Sequence, residues 1–283
     1  MSTTAPGRGA GRRPSSGDPL RPLEQAGEQL VFWWEVIRHV PLAIRQYSKQ
    51  IGVILAELSL GTGVFVIGGG VVGVVILLST LTGSEVGFEG HNGLSVIGLA
   101  PLTGFVSAYL NTREMAPIVA SLGFAARIGC GFTSRLGAMR ISEEIDALES
   151  MAIRPIPYLV TTRLLAGLGL VIPLYLIGLV GTYMATDFMV TVFFGQSHGT
   201  YQHYFQAFVA PVDVLYSAIK VAVLTSVVTL IHCYFGFNAT GGPEGVGRAT
   251  GRAIRSSIIA ITILDITMTL TLWGIDQQAV ISG

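Results

Sequence analysis

The chain has 283 residues, of which 51% are hydrophobic and only 12% are charged, and its mean hydropathy is +0.62. This composition excludes an ordinary soluble domain and predicts an all-α membrane protein with several spans. The formal net charge is zero, so no overall field would attract nucleic acid, and we expect no nucleic-acid partner.

The first fifty residues divide into two segments. Residues 1–22 are rich in Gly, Pro, Ser and Arg and have no apolar run, which predicts a disordered cytoplasmic tail. Residues 23–50 combine Trp33 and Trp34 with Glu, Arg and Lys. This mixture predicts an amphipathic helix in the membrane interface, although a cytoplasmic helix packed on the protein would have the same composition.

Five apolar stretches are long enough to cross a membrane, since a bilayer core of about 30 Å requires about 20 helical residues. They are residues 51–80, 94 to about 134, 158–186, 211–236 and 256–275. The second stretch contains Pro101 and Pro117. We predict that it crosses once, with the part before Arg113 forming a re-entrant or kinked helix at the outer side.

The distribution of Lys and Arg predicts the orientation of these spans. Residues 81–93, 187–210 and 274–283 contain neither residue, whereas several arginines occur before the first span, between the second and third spans, and in 237–255. The positive-inside rule therefore predicts five crossings with the N-terminus in the cytoplasm and the C-terminus outside. A six-crossing topology is the rival, and it would move the segment after residue 141 to the outside.

An acidic segment, SEEIDALESMAIRPIPYLVTTR, lies between the second and third spans at residues 142–163. Ser142 is predicted to cap a short helix over 142–153, with carboxylates in its first turn, where they favour the helix dipole. Pro155 would end this helix. Its acidic face comprises Glu143, Glu144, Asp146 and Glu149, beside the apolar Ile145 and Leu148. The pattern alone fits either a solvated connector or a surface that contacts another protein.

Three motifs point to a known family. The segment RLGAMRISEEIDALESMAIRPIPYLVTTRLLAG resembles the central motif of MlaE/YrbE permeases, the membrane subunits of ABC lipid transporters associated with Mce proteins. Residues 111–140 resemble the Arg-Glu-Leu-Gly-Pro segment of this family, and residues 241–257 resemble its last cytoplasmic loop. Met115 and Ala116 depart from the family's Leu and Gly. The resemblance extends from about residue 30 to the end, with a permease domain expected over 51–283.

The resemblance implies that 142–153 is a coupling helix that contacts a dimer of cytoplasmic ABC ATPases. Its contact residues would be Glu143, Glu144, Ile145, Asp146, Leu148 and Glu149. Other implied partners are a second YrbE-like permease, identical or paralogous, an Mce-type lipid-binding protein and a lipid substrate. The expected location is the bacterial inner membrane. The chain has no phosphate-binding loop of the P-loop type. We therefore expect that it is not an enzyme and holds no cofactor, and that ATP and Mg bind to the partner ATPase.

The resemblance also places a lipid-binding cavity near the second span. Its lining would comprise Arg113, Glu114, Met115, Val64 and Phe65. Charged residues are expensive in lipid unless they pair or line a wet cavity, so a structural ion pair at the kink is an alternative for Arg113 and Glu114. No histidine or cysteine spacing indicates a metal.

Other charges at membrane depth leave two further classes of function open. Glu57, Lys220 and Asp265 could serve an ion-coupled secondary transporter, but no inverted repeat is evident. Structural pairing, in which Lys220 contacts a neighbouring carboxylate, is the preferred interpretation. A membrane scaffold without transport of its own is the remaining class.

Overall fold

The computed structural model describes residues 21–60 and 70–274, with side chains described over 27–59 and 70–274. Within these ranges all regular elements are helical, as predicted for an all-α membrane protein. Three helices come first: α1 (Arg21–Arg38), α2 (Val40–Gln46) and α3 (Ser48–Leu60). Most of the predicted tail, together with Val64 and Phe65, lies outside the described residues.

The predicted interfacial helix over 23–50 is divided at His39 and Tyr47. Pro41 explains the first break, because a proline at the start of a helix cannot continue the hydrogen bonding of the helix before it. Phe32 and Val36 of α1 are buried against the protein, whereas Val31 and Trp34 are each 68% exposed. The helix therefore packs on the protein with one face and presents an apolar face outward with the other.

Among the described residues, five helices are long and apolar enough to cross a membrane, which agrees with the predicted number. They are α4 (Gly70–Ser95), α5 (Ala100–Ile141), α7 (Ile156–Phe193), α9 (Pro211–Phe237) and α10 (Gly242–Trp273). Two shorter helices, α6 (Glu144–Ser150) and α8 (His198–Phe208), lie between them at opposite ends of the bundle. With 42 and 38 residues, α5 and α7 measure about 60 Å each, about twice a bilayer core.

Residues 81–93, which the predicted span bounds place between the first two spans, belong instead to α4. Small residues on this helix, Ser79, Gly83 and Gly87, face α7. A Cβ atom at Gly83 would lie 2.4 Å from the carbonyl oxygen of Thr182, so only glycine permits this approach. Close packing through small residues replaces the hydrophobic drive between helices in lipid, and it outweighs the weak helix propensity of glycine.

The re-entrant path predicted before Arg113 is wrong, because α5 is a continuous helix over Ala100–Ile141. Pro101 lies in its first turn, where a missing N–H is harmless. Pro117 follows a wider, π-helical stretch over Ser107–Met115, which accommodates the proline without a break. The segment is therefore one helix that is long and apolar enough to cross a membrane, with wider turns before Pro117.

The loop predicted over 237–255 is largely helical, since α10 begins at Gly242. Gly241 and Gly242 adopt φ values of +90° and +70°, which suit glycine and form the sharp turn out of α9. Pro243 then lies in the first turn of α10. A glycine-rich sequence that predicted a loop is therefore a two-glycine turn followed by a helix.

Candidate functional site

Pro117 leaves one backbone carbonyl of α5 without its usual donor. In an α-helix its N–H would bond to the carbonyl of Arg113, four residues earlier, but proline has no N–H. The ammonium group of Lys220, on α9, donates to this carbonyl oxygen at 2.9 Å. A proline on one span thus provides an acceptor for a lysine on another.

Lys220 is fully buried and also contacts two carboxylates. Its Nζ lies 3.0 Å from Oε2 of Glu114 on α5 and 2.7 Å from Oδ1 of Asp265 on α10. Thr269 completes the cluster, because its hydroxyl accepts from Lys220 at 2.7 Å and donates to Glu114 Oε1 at 2.7 Å. The predicted pairing of Lys220 with a neighbouring carboxylate is confirmed, and the cluster joins three spans.

The cluster lies deep in the spans. Lys220 is nine residues from the start of α9, which corresponds to about 13 Å along the helix axis. Such a depth falls well inside a bilayer core of about 30 Å. Loss of the Lys220 ammonium would leave two carboxylates at this depth without their cation, which is costly for a buried charge.

Arg113 pairs with Asp213 and not with its neighbour Glu114. Its Nη2 and Nε donate to Asp213 Oδ2 at 3.0 and 3.3 Å, while Trp273 Nε1 donates to Oδ1 at 2.7 Å. The guanidinium also lies over the rings of Tyr109, at 4.1 Å, and Trp273, at 5.2 Å. The side chains of Arg113 and Asp213 are 16% and 18% exposed. The ion pairs therefore run between helices, whereas the sequence suggested one at a kink.

The short helix α8 packs against the first part of α5. The hydroxyl of Tyr201 donates to Ser107 Oγ on α5 at 2.8 Å. Burial raises the pKa of Tyr201, which keeps its hydroxyl protonated as a donor. Gly104 permits close contact, since a Cβ there would lie 2.3 Å from the carbonyl oxygen of Tyr201. We call the end with α8, Asp213 and Trp273 the α8 end, and the opposite end the α6 end.

At the α6 end, the predicted coupling helix is shorter than expected. It covers the seven residues of α6, and its N-cap is Glu143, whose φ of 59° is left-handed. Ser142, the predicted cap, follows the last residue of α5; its hydroxyl donates to Glu144 Oε1 at 2.9 Å and lies 3.0 Å from the carbonyl oxygen of Ala138. The predicted cap is wrong because α5 continues to Ile141.

The side chains of α6 divide into exposed and buried sets. The exposed set comprises the four predicted carboxylates, Glu143, Glu144, Asp146 and Glu149. Arg140 Nη1 holds Asp146 Oδ1 at 2.7 Å. Ile145 is fully buried and Leu148 is half-buried in the same core, so these two side chains fix α6 to its own chain. Met151, just after the helix, is 62% exposed.

The sequence interpretation missed several partners in these sites. Asp213 could have been suspected, because it follows Pro211 in the first turn of a span, where a carboxylate is favoured. Trp273, at the end of the last span, carries the usual signal of an interfacial anchor. Nothing in the sequence indicates that Thr269 bridges Lys220 and Glu114. Met115 is half-buried, and its predicted neighbours Val64 and Phe65 are not among the described residues.

Over residues 21–60 and 70–274 the chain is helical, with five helices able to span a membrane and charges paired between them, as in membrane transporter subunits. The family described as "Permease MlaE" matches residues 60–271. The chain belongs to this family of ABC transporter permeases.

Relatives agree with this assignment. A "Probable ABC transporter permease protein" of Rickettsia felis is 31% identical over 205 residues, which cover 69% of this chain and 76% of the relative. The chloroplastic protein TRIGALACTOSYLDIACYLGLYCEROL 1 of Arabidopsis thaliana is 30% identical, over 70% of this chain and 56% of the relative. The "Intermembrane phospholipid transport system permease protein MlaE" of Haemophilus influenzae is 28% identical, over 71% of this chain and 77% of the relative.

Proposed function

We propose that this chain is the permease subunit of an ATP-driven lipid transporter, with α6 as the contact for a cytoplasmic ATPase dimer. The observation that carries the proposal is the form of α6, a short helix with exposed carboxylates fixed between the two longest helices. The name of the Haemophilus relative, a phospholipid transport permease, supports lipid as the substrate class.

The attachment of α6 suits the transmission of movement. Ile145 is buried, and the residues that flank the helix, Glu143 and Ala152, have φ values of 59° and 60°. A left-handed conformation is unfavourable for non-glycine residues, so the surrounding structure must hold both turns. A displacement of α6 would then move α5 as a rigid body. From Ile141, the end of α5 nearest α6, to Glu114 is about 40 Å along α5.

Co-purification tests the ATPase contact. The full chain carrying Glu144→Lys and Glu149→Lys should lose the ATPase but keep a second permease, because both side chains are exposed and neither supports the fold. Glu89→Lys, an exposed carboxylate on α4 far from α6, is the matched control. Mass spectrometry of the purified complexes gives the answer. ATPase retention by the double variant would contradict the contact, and transport driven by an ion gradient without any ATPase would favour a secondary carrier.

The lipid site that we propose lies at Arg113, Glu114 and Met115, completed by Val64 and Phe65. Asp213 accepts from Nε and Nη2 of Arg113, so Nη1 remains to donate to a lipid headgroup. Met115 would contact an acyl chain. Arg113→Ala should reduce both lipid binding and transport, whereas Arg127→Ala, an exposed arginine on the same helix, should not. Unchanged lipid binding in the Arg113 variant would exclude this role, and loss of transport with intact assembly would exclude a scaffold.

The orientation that we propose places the α6 end in the cytoplasm. Arg140, Arg154, Arg248 and Arg252 all lie near this end, as the positive-inside rule requires. A second YrbE-like permease and an Mce-type protein on the outside complete the proposed assembly. In a chain that carries Cys130→Ser and Cys233→Ser, the variant Ser142→Cys should not be labelled by a membrane-impermeant thiol reagent added to intact cells. Labelling from outside would instead support the six-crossing topology.

A further inference from the structure

A polar groove lies at the α6 end, between α1, the end of α9 and the first half of α10. Its volume is about 480 Å³, which falls within the range of small-molecule sites. The residues that matter for its chemistry are Glu28, Tyr234, Asn238, Arg252 and Arg255. None of these residues belongs to the charge cluster around Lys220 or to α6.

The groove offers two cationic side chains. Arg252 and Arg255, three residues apart on α10, are both exposed, and no carboxylate of the described residues lies within salt-bridge distance of either. The guanidinium carbon of Arg252 lies 5.5 Å from the centre of the Phe235 ring, a contact that restrains this side chain at the groove. The fork of N–H donors in arginine matches the oxygens of a phosphate group. The carboxylate of Glu28 accepts from the hydroxyl of Tyr234 at 3.4 Å.

An apolar stripe continues from the groove along α10. Ile259, Ile263, Ile266 and Leu270 recur at helical spacing on the face that carries Arg255, and they are 61%, 59%, 57% and 50% exposed. Ile259 and Leu270 are about 16 Å apart along the axis, close to the roughly 15 Å of one bilayer leaflet. On the other side of the groove, α1 exposes Leu30 and Trp34. A ligand with a charged head and apolar chains fits this arrangement.

We propose that the groove binds the phosphate group of an anionic membrane lipid, with acyl chains along the stripe. Arg252 and Arg255 bind the phosphate, and Glu28 weakens binding because its carboxylate repels the anion. The site is separate from Arg113, because Arg255 and Trp273 are about 27 Å apart along α10. The orientation proposed above would place this groove at the cytoplasmic leaflet. The binding chemistry does not depend on that orientation.

Native mass spectrometry of the full chain in neutral detergent tests this site. The probes are phosphatidylglycerol and phosphatidylcholine with the same acyl chains. The wild type should retain phosphatidylglycerol preferentially. Each of Arg252→Gln and Arg255→Gln should weaken its retention about fivefold, and the pair about 25-fold. Glu28→Gln should strengthen retention, a gain that misfolding cannot produce.

Arg248→Gln is the matched control, because Arg248 is an exposed arginine of α10 that pairs with Glu244 and does not line the groove. It should leave retention unchanged; equal losses in all three arginine variants would indicate unspecific charge attraction and overturn the proposal. Displacement of the lipid by soluble glycerol phosphate would overturn the lipid assignment in favour of a free phosphate ligand. If the chain is a dimer and neither groove substitution changes its lipid retention, the groove is a protein interface and the lipid proposal is wrong.

Discussion

The same residue types behave differently in the middle of the bundle and at its α6 end. In the middle, the side chain of Lys220 is 0% exposed and that of Asp265 is 5% exposed. At the α6 end, the side chains of Arg140 and Asp146 are 38% and 57% exposed, and Arg135 pairs with Glu57 at 2.6 Å with both about half exposed. The charges in the middle are therefore enclosed by three helices, while the paired charges at the α6 end remain accessible to partners.

The difference in burial determines what each charge can contribute. An exposed ion pair is worth less than about 1 kcal/mol, because water screens it. A buried pair has little net value against an apolar replacement, but the removal of one partner is strongly destabilising. Single substitutions of charged residues should therefore lower the stability of the fold strongly in the middle of the bundle. At the α6 end they should change stability little but weaken partner binding.

The largest effect is expected for Lys220→Met. It leaves Glu114 and Asp265 buried without their cation, so the free energy of unfolding should fall by about 3–5 kcal/mol. Denaturation of the purified chain in mixed micelles measures this. Adding Glu114→Gln and Asp265→Asn to the variant should restore much of the loss. If Lys220→Met alone is as stable as the wild type, the buried charges do not differ from the exposed ones in their effect on stability.

An intermediate effect is expected for Gly83→Ala, which measures the contribution of close helix packing to stability, apart from the buried charges. The new Cβ would lie 2.9 Å from Ala185 Cβ and closer still to the backbone of Thr182. Overpacking should lower the free energy of unfolding by about 1–3 kcal/mol. Gly93→Ala, near the exposed end of the same helix, meets no atom within 4 Å and should instead stabilise the fold by roughly 0.5–1 kcal/mol. Equal effects of the two substitutions would contradict the close contact of α4 with α7.

The smallest effect is expected for Arg140→Gln, which removes the 2.7 Å contact with Asp146. The free energy of unfolding should change by less than about 1 kcal/mol, since both side chains are exposed. The change should disappear at high salt, which screens exposed pairs. Denaturation at low and high salt is the measurement. A large, salt-independent loss would show that the α6 end stabilises the fold in the same way as the middle.

The sequence predicted the number of spans and the pairing of Lys220, because apolar length and the cost of buried charge are local signals. It mispredicted the ends of the helices where glycine and proline suggested breaks. Gly83 supports α4 through a tertiary contact, and Pro117 is accommodated by wider turns, neither of which is encoded locally. Ser142 was assigned to the wrong helix, since a helix end is set by packing as well as by its cap. The partner of Arg113 is 100 residues away, beyond the reach of any spacing rule.

Pro117 and Lys220 have a consequence for mutational scanning of this chain. Each residue is unfavourable in a membrane helix when considered alone, yet the proline exposes a carbonyl that the lysine occupies. A scan of single positions would score each as indispensable and would conceal that they compensate for one another. Only simultaneous exchange of both, together with the carboxylates that balance the lysine, would reveal how replaceable the whole arrangement is.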